Sequence, residues 1–220
     1  MIRLLLVLIG YVFGLFQTGW FYGKIVGVDL TKEGSGNTGA TNALRVLGLK
    51  GGLIVYFFDA LKAFIPCFIV GHVIRWQGPN VSSVTPYMYM MYTALGVILG
   101  NDFPFFLKFK GGKGVAATSG WTLAWNFPLW IAGMSLFFII AFATRIVSIA
   151  SITMCFVIIG MGFLFGALRF SPAMFTGQCW EFYIIVIVLE LLMIWRHRDN
   201  IGRLIAGTEN RFGRRKKERK

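Results

Sequence analysis

Three short segments hold the residues that could do chemistry. Gly34-Ser35-Gly36-Asn37-Thr38-Gly39-Ala40-Thr41-Asn42 runs on to Arg45; Lys110-Gly111-Gly112-Lys113-Gly114 follows; Arg196-His197-Arg198-Asp199-Asn200 comes later. Each joins glycines or small polar residues to a fixed cation. That combination suits an oxyanion: bare backbone N–H groups approach the phosphate oxygens and a nearby charge neutralises them. In the first segment Gly34, Gly36 and Gly39 permit positive φ and close ligand approach. Ser35, Asn37, Thr41 and Asn42 can hydrogen-bond phosphate and hydroxyl groups, and Arg45 offers a planar fork for bidentate binding. The bland alternative is a flexible connector with Thr41 or Asn42 as helix N-cap, but flexibility alone does not require Ser, Asn, Thr and Arg.

In the second segment Gly111, Gly112 and Gly114 surround Lys113 and open a helix, where orphan N–H donors and the positive dipole end would face a bound phosphate. A basic juxtamembrane turn is the plainer reading. The spacing is not that of a Walker A loop and no strand precedes it, so nucleotide hydrolysis has no support. In the third segment His197 is a candidate general base, although Arg196 and Arg198 beside it favour the neutral ring; a hydrogen-bonding anchor at a helix end is the other reading. No Gly-x-Ser-x-Gly elbow occurs, so covalent catalysis by Ser35 is not expected. The segments describe an enzyme that handles phosphate.

The elements around them are membrane-like. The 220 residues are 56% hydrophobic, and the mean hydropathy is +0.68. Apolar runs recur at Leu4–Phe16, Leu53–Val70, Tyr87–Leu99, Leu129–Phe142, Ile146–Phe165 and Phe182–Trp195, and about 20 apolar residues cross a bilayer. The first run lacks a following small-residue cleavage site and reads as a retained helix. The net charge is +13, and residues 196–220 hold ten Lys/Arg against three acids, a net of +7. A basic tail after an apolar run marks the cytoplasmic side and attracts anionic lipid. Its cations are not interleaved with aromatics, so nucleic acid is not an expected partner. Cys67, Cys155 and Cys179 show no metal-ligand spacing and read as small buried hydrophobes; neither a metal nor a cofactor is implied.

The expected fold is all-α and integral to the membrane, with residues 1–212 as one domain and 213–220 as a basic cytoplasmic tail. If the three segments meet on the cytoplasmic face, about seven transmembrane helices are needed, with the N-terminus outside; five spans plus a re-entrant segment is the alternative. Segment 115–145 must then hold two short spans or a re-entrant loop, broken at Asn126-Phe127-Pro128. Arg3, Arg75 and Arg169 fall outside. Asp59 and Lys62 share a helical face within a span, either as a neutralising structural pair or as a border of the site.

The Gly34–Arg45 segment, Gly100-Asn101-Asp102-Phe103-Pro104 through Lys110–Thr118, and Arg196–Ile201 together resemble the three motifs of the bacterial acyl-phosphate-dependent glycerol-3-phosphate acyltransferases, the PlsY family. Asp59–Lys62, Arg145–Ser151 and the Arg203-to-Glu209 stretch extend the likeness over the whole chain. The resemblance implies transfer of a fatty acyl group from acyl phosphate, not coenzyme A thioester, to the 1-hydroxyl of sn-glycerol 3-phosphate in a bacterial cytoplasmic membrane. It implies roles for Ser35, Arg45, Lys113, His197 and Asn200 in catalysis, glycerol-3-phosphate binding at Gly111–Gly114, and a structural Glu209. Asn101 stands where the family usually has histidine, and Gly114-Val115-Ala116-Ala117-Thr118 where it usually reads Gly-Val-Ala-Thr. Membrane lipids and a soluble acyl-phosphate-forming enzyme are the further partners. A transporter of phosphorylated solutes is the competing function, but matching broken repeats are missing from the sequence and the polar motifs gather at one membrane face.

Overall fold

The computed structural model describes residues 1–77, 85–167 and 180–212; Arg169, Cys179 and the basic segment 213–220 lie outside the described residues. All regular structure among the described residues is helical: α1 (Ile2–Gly14), α2 (Thr18–Ile25), α3 (Ala40–Phe68), a π turn (Ile69–Val73), α4 (Thr85–Asp102), a 3₁₀ turn (Phe105–Leu107), α5 (Val115–Trp125), α6 (Phe127–Thr144), α7 (Val147–Ala167), α8 (Trp180–Arg196) and α9 (Arg198–Ile205). Five stretches are long and apolar enough to cross a bilayer: Ile2–Ile25, Ala40–Val73, Thr85–Leu107, Phe127–Thr144 and Val147–Leu164. Their outward faces carry exposed Leu4, Val12, Phe57, Ile139 and Phe156, a surface suited to hydrocarbon and costly in water.

Segment 115–145 breaks where the proline reading put it. Asn126 caps α6, its Oδ1 accepting from the Leu129 N–H at 2.9 Å. The two halves differ in kind. α6 has 18 residues, of which Leu129, Gly133, Met134 and Ala141 are buried, whereas the 11-residue α5 is buried almost throughout, too short for about 30 Å of hydrocarbon by itself.

Small residues set the helix crossings. Gly10 and Gly14 of α1 face Gly96 and Gly100 of α4 so closely that a Cβ on Gly10 would lie 2.1 Å from the Thr93 carbonyl oxygen, and one on Gly96 would lie 2.1 Å from that of Val7. With no water to expel between helices in lipid, such backbone approach supplies the packing contact. Gly120 lets α5 rest on the Ala60 carbonyl of α3 in the same way. Over these contacts Met90, Met91, Trp121, Phe182 and Leu189 form the core.

Two features of α3 shape the site. At Gly48 (φ 77°, ψ −172°) the helix kinks sharply, folding its first turns back so that Gly52 abuts Leu44. Deeper in, Lys62 Nζ lies 2.7 Å from Asp59 Oδ1 and also donates to the Phe16 carbonyl and to Asn101 Oδ1, while Thr18 donates to Asp59. Both charges are buried, with three acceptors around the ammonium and two donors on Asp59 Oδ1, which is how an ion pair persists inside a span.

Candidate active site

The first motif is a loop tied by one side chain. Asn42, 2% exposed, donates to the carbonyls of Leu30, Glu33 and Asn37. Its Oδ1 accepts from the Ser35 N–H at 2.8 Å and from Arg45 Nη1 at 3.5 Å. The amide expected to hold substrate is thus spent on holding the loop. The helix cap also differs from expectation: Gly39 is the N-cap of α3, and Thr41 and Asn42 lie inside the first turn, while the Gly39 N–H donates to the Asn37 side chain. Gly34 (φ 63°) and Gly36 (φ 70°) occupy left-handed positions that L side chains enter at a cost. Ser35 and Arg45 stay exposed, and Arg45 makes no ion pair among the described residues.

The second motif is strapped in from both sides. The Gly111 and Gly112 N–H groups donate to the carbonyls of Asp102 and Asn101. In return Arg196 donates to the Gly111 and Gly112 carbonyls at 2.7–3.1 Å, and Asn37 donates to the Gly111 carbonyl. A Cβ on Gly111 would lie 2.1 Å from the Asn101 carbonyl oxygen, so only glycine fits. Arg196 therefore faces inward, with Asp102 Oδ2 at 3.8 Å, and is a strut of the glycine turn. Gly114, left-handed at φ 80°, caps α5, leaving that helix's first N–H groups without intrahelical acceptors.

The third motif reaches the second through side chains. Lys113 donates to Asn200 Oδ1, Asn200 donates to Glu209 at 2.7 Å, and Glu209 also accepts from Ser148 and Arg203. His197 is 4% exposed. Its Nδ1 lies 2.8 Å from the Met193 carbonyl; the carbonyl can only accept, so Nδ1 carries the proton and Nε2 keeps its lone pair. Burial, more than the neighbouring cations, pulls this imidazole down to about 4. The flanking arginines invoked from the sequence are thus minor: Lys113 acts more strongly than Arg196.

These groups surround one cavity of about 570 Å³. Ser35, Asn37, Gly39, Thr41, Asn42, Arg45, Gly112, Lys113, Gly114, His197 and Asn200 all line it, together with Asp59 and Asn101. Gly34, Gly36 and Gly111 do not; they shape the loops behind it. Its other wall is apolar, from Leu49, Leu53 and Tyr56 on α3 and Phe137, Phe138 and Phe142 on α6. Cations and helix N–H groups at one end and hydrocarbon at the other describe a site for an amphiphile with an anionic head.

The family model for glycerol-3-phosphate acyltransferase matches residues 4–207. This chain belongs to that family. A relative from Aquifex aeolicus named glycerol-3-phosphate acyltransferase is 38% identical, the match covering 95% of this chain and 98% of the relative. One from Thermosipho melanesiensis with the same name is 37% identical over 93% and 90%. Among solved structures, PlsY, an integral membrane glycerol 3-phosphate acyltransferase, in its glycerol 3-phosphate form superposes with a TM-score of 0.81 at 37% identity, covering 96% of each chain. Its lysophosphatidic acid form gives 0.79 at 36% identity, covering 96% of this chain and 95% of that one.

At Asn101, where the resemblance led to the expectation of a histidine, the side chain is fixed by its surroundings. Asn101 is buried, accepts from Lys62 and donates to Asp102 Oδ1 at 2.8 Å, while its amide nitrogen sits 2.6 Å from where a Gly112 Cβ would be. A neutral amide presents acceptor and donor at once, which satisfies both a cation and a carboxylate. Gln17 carried no reading from the sequence, and Asp102 entered only as part of the Gly100–Pro104 stretch, with no role of its own. Gln17 donates to the carbonyls of Gly14, Gly100 and Asn101 and accepts from Thr38, locking the first motif to the end of α4. A glutamine beside an apolar run was the available signal, since an isolated polar group there must find partners.

One prediction arises here. Burial first, and the Arg203 guanidinium second, draw the Lys113 ammonium from 10.5 down to about 8. The cation is the form that binds phosphate, so it is present below that pH and lost above it. The kcat/KM for glycerol 3-phosphate, which reports the free enzyme, is expected to hold near neutrality and fall as pH passes about 8. A profile flat for a full unit beyond that value would remove Lys113 as the required cation.

Proposed function

We infer that the protein transfers a fatty acyl group from acyl phosphate to the 1-hydroxyl of sn-glycerol 3-phosphate, releasing lysophosphatidic acid and inorganic phosphate. The observation that carries this reading is the single cavity in which the three motifs meet beside an apolar wall. The head of glycerol 3-phosphate sits among the first N–H groups of α5, Lys113 and Asn200; the donor phosphate engages Arg45 and the Ser35 loop, with its chain along α3 and α6. The hydroxyl oxygen attacks the acyl carbonyl, the C–O bond to phosphate breaks, and the hydroxyl proton passes to a phosphate oxygen. His197, held near 4 by burial, is a weak base at neutral pH, which supports the substrate phosphate as proton acceptor. The donor is already activated, so positioning and charge neutralisation supply the catalysis.

In this reading residues 1–212 are the catalytic membrane domain and 213–220 a basic tail on the cytoplasmic face of a bacterial cell membrane. Seven crossings, counting the short buried α5 together with α8 beside the five long apolar stretches and starting from an N-terminus outside, put the motifs on that face. A soluble acyl-phosphate-forming enzyme must supply the donor.

Purified protein in detergent is expected to form lysophosphatidic acid from acyl phosphate and labelled glycerol 3-phosphate, and none from acyl-coenzyme A at equal concentration. Comparable rates with the thioester would overturn the donor assignment. The intact mass after mixing with acyl phosphate alone should stay unmodified; an acyl adduct on Ser35 would replace direct transfer by a covalent route. Arg45→Lys keeps the charge but loses the fork, and is expected to lower kcat/KM for acyl phosphate by roughly ten- to hundred-fold, the worth of a charge-assisted hydrogen bond. Unchanged kinetics would place Arg45 outside the site.

A further inference from the structure

The apolar part of the cavity runs along α6, where particular side chains line it. On α6 the lining residues Met134, Phe137, Phe138, Ala141 and Phe142 follow one another on a single helical face at spacings of three and four. Phe142 packs edge-on against Phe212 at 6.0 Å, beside the Glu209 network. Met134 is the last residue of this row, about 12 Å further along the helix at ~1.5 Å per residue. Beyond it lies a second, much smaller void of about 10 Å³, walled by Ser119, Trp130, Gly133, Met154 and Ile158 among others. Among the described residues, Met134 alone lines both spaces.

Met134 is backed by a polar cluster. The Tyr56 hydroxyl and Ser119 Oγ lie 2.8 Å apart, Trp130 Nε1 donates to the same Ser119 Oγ at 2.9 Å, and the Tyr56 hydroxyl points at Met134 Sδ at 3.9 Å. Three hydrogen-bonding groups that satisfy one another in an apolar interior form a rigid backing. The thioether in front of it is the adaptable part. On the side of the smaller void a Cβ added to Gly133 would meet Met154 at 3.7 Å, an ordinary van der Waals contact.

We propose that Met134, braced by the Tyr56–Ser119–Trp130 cluster, is the stop that limits the length of acyl chain this protein accepts. The proposal rests on the acyl-transfer reading above: the chain lies along α6 with its terminal methyl group against the methionine. Shortening residue 134 joins the two spaces and lengthens the channel; enlarging it shortens the channel.

The test is competition among saturated acyl phosphates of twelve, fourteen, sixteen and eighteen carbons. Wild-type protein, Met134→Ala and Met134→Phe are each given the equimolar mixture with glycerol 3-phosphate, and the lysophosphatidic acids are counted by mass spectrometry. Ratios are read within each variant, so differences in yield or membrane insertion cancel. Met134→Ala is expected to raise the ratio of the longest product to the wild-type favourite by roughly ten-fold, the lower end of what a methylene commands in an apolar pocket. Met134→Phe is expected to shift the ratio the opposite way, and carries the test by itself if the alanine variant does not insert. Product distributions matching wild type would overturn the stop. A wild-type protein that makes no lysophosphatidic acid from any acyl phosphate would instead overturn the function on which it rests.

Discussion

Lys113→Ala is expected to lower kcat/KM for glycerol 3-phosphate by roughly 10²- to 10³-fold, the cost of removing one preorganised donor from a developing oxyanion. Lys113 stands in the loop that leads into α5, lines the cavity, and donates to Asn200. Asn200 is in turn held by Glu209, which Arg203 and Ser148 also grip. The ammonium is therefore aimed by a chain of fixed partners and costs little to reorganise when substrate arrives. If it acts only in substrate binding, KM rises and kcat holds; if it stabilises charge in the transition state, kcat falls as well. Steady-state kinetics at a pH below the Lys113 transition separate the two. Unchanged kcat/KM in a correctly folded variant would move the phosphate site away from α5.

Breaking the buried pair is expected to have the largest effect on stability. Asp59→Leu leaves the Lys62 ammonium inside α3 without its carboxylate, although the Phe16 carbonyl and Asn101 Oδ1 still accept from it. Removing one partner of a buried pair costs about 3–5 kcal/mol, which corresponds to a fall in Tm of roughly 10 °C for a chain of this size. The double variant Asp59→Leu/Lys62→Met removes both charges and is expected to recover most of that loss, since apolar groups of similar volume replace a buried pair at little net cost. Thermal unfolding in detergent checks both, and a single variant melting with wild type would show the pair to be energetically idle. Because Asp59 also lines the cavity, activity in the double variant reads its second role separately: restored Tm with low turnover makes Asp59 a border of the site as well as a structural partner.

Much of this molecule is legible in one dimension, and for local reasons. Apolar runs of span length can only be helices in a bilayer, because every backbone polar group must be satisfied within its own segment. Asn126-Phe127-Pro128 marks a helix break by the restriction proline places on its predecessor. Asp59 and Lys62 announce themselves as partners by spacing alone. The glycine–cation segments at Ser35–Arg45 and Lys110–Gly114 carry an anion-binding signature in residue type. Their family resemblance held over residues 4–207.

Tertiary structure decided which polar side chains remain available. Asn42 and Arg196 look from the sequence like ligands for phosphate. Folding spends Asn42 on three loop carbonyls and Arg196 on the glycine turn, because buried carbonyls must find donors and these were the donors in reach. Arg45 and Lys113 form no ion pair among the described residues and both line the cavity, next to the kink at Gly48 and the left-handed Gly114. His197 keeps its ring neutral through burial, a property of everything packed around it. Gln17 and Met134 carry no motif, and their places became visible only where helices distant in sequence met. Residue type along the chain thus set what chemistry could occur, and long-range contacts determined which atoms were left to perform it.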